Sequence, residues 1–167
     1  MCGIFPTIID YTPGLMKVVQ KAVGERNFCN ISPNITSENF KFSRSGVWEV
    51  SLELIPCLKD WETKENAVKR LIPLGFTLEN IGELAALMAS KPDEVEKYHL
   101  VLALGDQSKW QDSDGYIRTP GASVDDLNRH FGLYRFDKPL LPNDCILVSR
   151  QARPLSSGLA TVGVGEW

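Results

Sequence analysis

The chain has 167 residues, of which 43% are hydrophobic and 23% are charged, and its formal net charge is -3. These values are close to globular averages and exclude a wholly disordered chain or a coiled coil. A chain of this length can bury one cooperative core without a disulfide or a structural metal. We therefore predict a single globular domain over residues 1–167, with a more β-rich C-terminal part from about residue 98.

The charge pattern limits the classes of partner. The 18 Lys and Arg residues are not clustered and are balanced by 21 Asp and Glu residues, so no segment could neutralise a run of phosphates or an anionic lipid surface. No apolar run approaches the length of about 20 residues that spans a bilayer, and no secretory signal is visible. We expect a cytoplasmic protein whose partner is another protein, with no membrane and no nucleic-acid partner, and the composition leaves a small-molecule ligand open.

The first five residues, Met1-Cys2-Gly3-Ile4-Phe5, resemble the start of class II glutamine amidotransferases. The resemblance implies that Cys2, exposed by removal of Met1, attacks a glutamine side-chain amide, in a fold of two stacked antiparallel sheets. The family also uses an Asn-Gly pair for its oxyanion hole, and this chain contains no such dipeptide. An N-terminal-cysteine hydrolase is thus the alternative function, and a Cys2 buried beneath a short first strand is the structural alternative.

The first half of the chain predicts one helix and one hairpin. Apolar residues at helical spacing predict a helix over residues 11–24, with Thr12 as N-cap and Pro13 in the first turn. A long loop follows to residue 39. Alternating apolar residues then predict strands at 40–43 and 47–55, joined by a turn at Ser45-Gly46.

Residues 63–89 predict a helical hairpin. The first helix covers 63–72, and Thr77 caps a second helix over 78–89. This pattern also occurs in the helix-turn-helix of DNA-binding proteins, which gives a second alternative function, a nucleic-acid binder. Glu79 and Glu83 would then face phosphates, which argues against that alternative.

The C-terminal part predicts mostly strands. The apolar run 98–104 predicts a central strand, and Asp114-Gly115 predicts a hairpin turn. Ser123 caps a short helix that ends at Gly132, strands at 133–136 and 145–149 pair with each other, and a weak strand follows at 159–164. The predicted fold class is therefore α+β, a mainly antiparallel sheet with two or three packed helices.

The sequence offers no clear catalytic group. The four cysteines are far apart, and neither His99 nor His130 stands at zinc-ligand spacing. Asp112-Ser113-Asp114-Gly115 resembles a calcium loop only in part, because the positions of the first and last ligands hold no carboxylate. We therefore predict no catalytic residue, no metal site and no cofactor.

The strongest binding candidate is the loop over residues 105–121. It combines Trp110 and Tyr116 with Asp112, Asp114 and Arg118, a composition that suits an exposed contact surface. The alternative is that both aromatic rings fold back onto the core. With these five binding residues, the sequence predicts a non-catalytic protein-interaction or accessory protein.

Overall fold

A computed structural model of the protein describes residues 3–24, 30–57, 61–126 and 128–155. In these residues eight strands form one sheet, flanked by helices. The strands are β1 (Ile4–Asp10), β2 (Val47–Pro56), β3 (Thr77–Leu78), β4 (Leu100–Leu102), β5 (Trp110–Gln111), β6 (Ile117–Asp125), β7 (Asn128–Arg135) and β8 (Asp144–Pro154). The helices are α1 (Leu15–Val23), α2 (Lys64–Leu71), α3 (Ile81–Ser90) and α4 (Pro92–Glu96), with 3-10 turns at Ile72–Leu74 and Asp106–Ser108.

Most strands of the sheet are antiparallel. Their order is β1-β2-β8-β4-β6-β5, while β3 pairs with β8 and β7 pairs with β6. The β4–β8 pair is parallel, and the other named pairs are antiparallel. The predicted α+β fold with a mainly antiparallel sheet is confirmed.

The middle of the sheet is buried on both faces. All three residues of β4 are buried, as is the first half of β8. Because side chains alternate across a strand, Val101 and Leu147 enter the core cluster that contains α1 and α3, whereas Leu102 and Ile146 enter the cluster that contains α2. Three residues of the predicted strand at 98–104, Leu100–Leu102, therefore form a central strand between two separate cores.

Helix α1 starts one turn later than predicted. Its N-cap is Gly14, whose φ is 89°, and not Thr12. The Thr12 N–H instead donates to Asp10 Oδ1, which forms a tight turn after β1. A left-handed residue interrupts helical geometry, so the helix begins beyond Gly14 and ends before Gly24, the predicted stop.

The predicted hairpin between residues 40–43 and 47–55 is wrong in its first strand. Residues 40–43 are not a strand, and β2 pairs with β1, from Ile4 opposite Glu53 to Asp10 opposite Val47. Phe40 is buried and Phe42 packs edge-on against Tyr11, with ring centroids 5.1 Å apart. In this loop, apolar residues that cover the core alternate with polar residues, which is the same pattern that a half-buried strand shows.

The segment 63–89 contains two helices with a short strand between them. Thr63 caps α2, and its hydroxyl accepts the Asn66 N–H at 3.0 Å. Thr77 is not a cap as predicted, because Thr77–Leu78 pairs with β8, and α3 begins at Ile81. The two helices enter different core clusters, α2 with Leu71 and α3 with Leu84.

Two predictions near the C-terminus are wrong. Residues 123–125 end β6 and residues 128–132 begin β7, so these residues form paired strands and not a helix, and Asp126 after β6 has a left-handed conformation at φ 44°. The strand at 133–136 pairs with β6, whereas 145–149 lies in β8 beside β2, β3 and β4. The weak strand at 159–164 lies outside the described residues.

Truncation of a side chain in the central strand tests this arrangement. Leu102 is fully buried, so Leu102→Ala should lower the free energy of unfolding by about 2–5 kcal/mol. Leu74 is 58% exposed, and Leu74→Ala, the matched control, should change it by less than about 0.5 kcal/mol. Urea unfolding measures both, and equal losses would contradict the placement of β4.

Candidate functional site

The predicted hairpin forms and is organised by one carboxylate. Trp110 pairs with Arg118 across β5 and β6, and Gly115 adopts φ 87° in the turn between them. Asp112 Oδ1 accepts the backbone N–H groups of Asp114 and Tyr116, each at 2.9 Å. Its Oδ2 accepts from Arg118 Nε at 2.6 Å, which holds the pKa of Asp112 below its usual range. These bonds make residues 110–118, called here the contact hairpin, a preorganised turn.

The two aromatic residues of the contact hairpin differ in their surroundings. Trp110 is half-buried and packs against Phe40, with ring centroids 6.4 Å apart. Tyr116 is 40% exposed, and the guanidinium of Arg135 lies 3.6 Å above its ring centroid. Trp110 therefore contacts the core in part, while Tyr116 presents a ring to solvent with a cation stacked on it.

A polar cavity of about 330 Å³ opens beside the contact hairpin. It brings together four of the five predicted binding residues, which are Trp110, Asp112, Asp114 and Arg118. Tyr116 is not part of this lining. The other wall comes from the loop before β2, through Ser32 and Asn34, a contribution that the sequence did not indicate.

A second cavity, of about 450 Å³, lies on the α2 side of the sheet and shares Arg118 and Leu133 with the first. We call it the cationic cavity. It is lined by Trp61, Lys64, His99, Leu100, Leu102, Arg118, Leu133, Tyr134, Arg135, Lys138, Pro139, Leu141 and Asp144. The sequence did not indicate this cavity, because its basic residues come from separate elements and form no cluster along the chain.

A buried ionic network lies at the N-terminal end of α3. Glu79 and Glu83 are both inaccessible to solvent. Arg44 donates to both oxygens of Glu79, at 3.0 and 3.2 Å, and its Nη1 lies 3.1 Å from Glu83 Oε1. Tyr11 Oη donates to Glu83 Oε2 at 2.7 Å, and the Ser149 hydroxyl donates to Glu79.

The two carboxyl groups of this network have opposite pKa shifts. Burial, together with the hydrogen bond and the charge of Glu79, raises the pKa of Glu83 to about 7. Burial would also raise the pKa of Glu79, but hydrogen bonds with Glu83, Arg44 and Ser149 outweigh it and hold that pKa below its usual range. One charge on Glu79 thus balances Arg44, and Glu83 is about half protonated near neutral pH.

The burial of this network bears on the helix-turn-helix alternative. The residues from Glu79 to Leu84 are all buried. A recognition helix needs an exposed first turn to enter a DNA groove. This placement argues against a nucleic-acid function for α3.

The remaining chemical candidates do not converge in the described residues. His99 Nδ1 lies 2.8 Å from Asp144 Oδ1, and His130 lies in β7 rather than at a helix end. Cys57 is half-buried and Cys145 is buried. Within the described ranges no group of three or more His, Cys, Asp or Glu residues could hold a metal ion, and no helix there is long and apolar enough to cross a membrane.

Comparison with known proteins gives no relative. No family model matches the chain, and neither a curated protein nor a solved structure matches it. The function must therefore be argued from the site itself.

The amidotransferase interpretation stays a prediction, because Cys2 lies outside the described residues. That mechanism requires the free amine and thiol of Cys2 on one residue, and hence the removal of Met1. Intact mass spectrometry of the protein isolated from its source measures this directly. If Met1 is retained, Cys2 is not an N-terminal nucleophile.

The shifted pKa of Glu83 predicts how stability depends on pH. Because its pKa is higher in the folded state than in the unfolded state, the folded protein binds more protons from about pH 4.5 to 7, and stability falls as the pH rises. Glu83→Gln mimics the protonated acid and should remove this fall. The variant should therefore gain stability over the wild type between pH 5 and pH 8, by roughly 3 kcal/mol at most.

Urea unfolding at pH values from 5 to 8 measures the difference between the two proteins. The exposed Glu65 provides the matched control, since Glu65→Gln should differ from the wild type by the same small amount at every pH. A difference between Glu83→Gln and the wild type that does not change with pH would contradict the raised pKa.

Proposed function

We propose that this is a non-catalytic interaction protein that binds a protein partner through the contact hairpin. The observation that carries the proposal is the convergence of Trp110, Asp112, Asp114 and Arg118 around one cavity on a turn held by three hydrogen bonds to Asp112. A preorganised turn loses little conformational entropy when it binds, so more of its contact energy appears as affinity.

The residue types on this surface support a protein partner. Trp, Tyr and Arg are enriched among the residues that dominate binding energy in protein interfaces. Here Tyr116 and Ile117 are each about two-fifths exposed, and Arg135 stacks on the Tyr116 ring. An apolar and aromatic centre thus lies beside a polar rim that contains Asp114, which is the usual anatomy of such an interface.

The half-burial of Trp110 decides which residue should be mutated. Because the indole packs on Phe40 and on the main core, Trp110→Ala would lose both stability and any partner contact. Tyr116 and Asp114 are exposed and can be changed with little effect on the fold. Substitutions at Tyr116 and Asp114 can therefore show a loss of binding without a loss of stability, whereas a substitution at Trp110 cannot.

Partner binding by hairpin variants tests the proposal. Proteins captured from a lysate of the source organism by the wild type are identified, purified and titrated by calorimetry. Tyr116→Ala should weaken the binding of the true partner at least about tenfold, and Asp114→Lys should slow its association. Both variants should melt within a few degrees of the wild type.

The control is Ile72→Ala, which truncates a side chain that is 56% exposed and lies outside the contact hairpin. It should bind the partner as the wild type does. Equal affinities for the wild type, Tyr116→Ala and Asp114→Lys would place the binding surface elsewhere and refute the proposal.

A further inference from the structure

The cationic cavity contains a buried ammonium group whose donors are not all used. Lys64 is only 3% exposed and lines the cavity. Its Nζ donates to the carbonyl oxygens of Arg135 and Lys138, at 3.0 and 2.5 Å. A lysine ammonium has three N–H groups, so within the described part of the chain one donor remains for a ligand.

The position of Lys64 is electrostatically unfavourable without a nearby anion. It is the first residue of α2, where the helix dipole disfavours positive charge. Burial lowers its pKa, against the opposing effect of the charges on Asp144 and Asp137. Asp144 is itself engaged, since its oxygens accept from His99 and from the Leu141 N–H. An added negative charge in the cavity would therefore be stabilising.

Other positive groups converge on the same space. Arg118 and Arg135 line the cavity together with Lys138, and Asp144 is the one carboxylate in the lining. Arg135 is also paired with Asp137, to which its Nε and Nη2 donate at 2.9 and 2.6 Å. Arg118 uses only Nε in its bond to Asp112, which leaves guanidinium N–H groups for other acceptors. The four cations Lys64, Arg118, Arg135 and Lys138 lie near three carboxylates, Asp112, Asp137 and Asp144, so an excess of one positive charge remains here in a protein whose net charge is -3.

The floor of the cavity is apolar. Leu100 and Leu102 of β4 form it from the sheet, and Leu141 closes one side with 39% of its surface exposed. Trp61 stands at the rim with φ 64° and 65% exposure. A bulky residue held in the left-handed region is strained, and such strain is concentrated at binding sites.

We propose that the cationic cavity binds one small amphipathic organic anion, in which a carboxylate is attached to an apolar ring or acyl chain. The carboxylate accepts from Lys64 and Lys138, and the apolar body lies over Leu100 beneath Trp61. A volume of about 450 Å³ falls within the range of small-molecule sites, roughly 300–1,000 Å³. This inference does not depend on the protein-interaction proposal.

Three probes separate the contributions of charge and apolar surface. Decanoate carries both, decanol carries the chain without the charge, and acetate carries the charge without the chain. Calorimetry should show one saturable site for decanoate, with decanol and acetate each bound at least about tenfold more weakly. Backbone amide shifts in NMR spectra should change around residues 61–64, 99–102 and 133–144 and not around residues 4–10.

Two rim substitutions test the location without disturbing the core. Lys138→Glu and Leu141→Asp place a negative charge at the cavity, and both residues are exposed. Each should weaken decanoate binding at least about tenfold. Lys69→Glu and Leu74→Asp introduce the same changes at exposed residues outside the cavity and should leave the affinity within about twofold.

Lys64→Gln examines the buried donor itself, because the amide keeps N–H groups but removes the charge. It should bind decanoate more weakly than the wild type while binding decanol equally well. The proposal fails if decanol binds as tightly as decanoate or if the rim variants and their controls bind decanoate alike. It also fails if decanoate binds at several sites and its binding does not saturate.

Discussion

The buried ion pair between Arg44 and Glu79 is the interaction around which the other elements are arranged. Taking these charges out of water is costly unless each is paired and hydrogen-bonded. Their partners come from separate parts of the chain: the loop before β2, the start of α3, Ser149 in β8 and, through Glu83, Tyr11 after β1. Because these partners must meet around the buried charges, the position of α3 on the sheet is fixed. Strands β6 and β7 of the same sheet contribute residues to both cavities.

Predictions from the sequence were correct for elements that are determined by residues close together in the chain. The Asp114-Gly115 turn needs only its neighbours, and the central strand β4 is marked by continuous apolar character because it is buried on both faces. Predictions were wrong where the structure depends on contacts between residues that are far apart in the chain. Phe40 and Phe42 alternate like a strand but pack as loop residues, and the helix-like capping pattern at Ser123 was overridden by pairing between β6 and β7.

The contact hairpin and the cationic cavity also differ in how far apart their residues lie in the chain. The contact hairpin lies within nine consecutive residues, so its composition could be recognised in the sequence and four of the five predicted residues line one cavity. The cationic cavity gathers Lys64, His99, Arg118 and Lys138 from segments that are far apart in the chain. The β4–β6 and β6–β7 pairings and the hydrogen bonds from Lys64 to the Arg135 and Lys138 carbonyls bring them together, and none of these contacts could be derived from spacing.

The position of β8 has a consequence for biosynthesis. It is the last strand in chain order among the described residues, yet it lies between β2 and β4 and also pairs with β3. Until the ribosome has produced it, β1 and β2 have no strand pairing to the rest of the sheet, and both core clusters lack the side chains that β8 supplies. Contacts so distant in sequence close slowly, so the nascent chain passes through a stage that is exposed to aggregation and to chaperone binding.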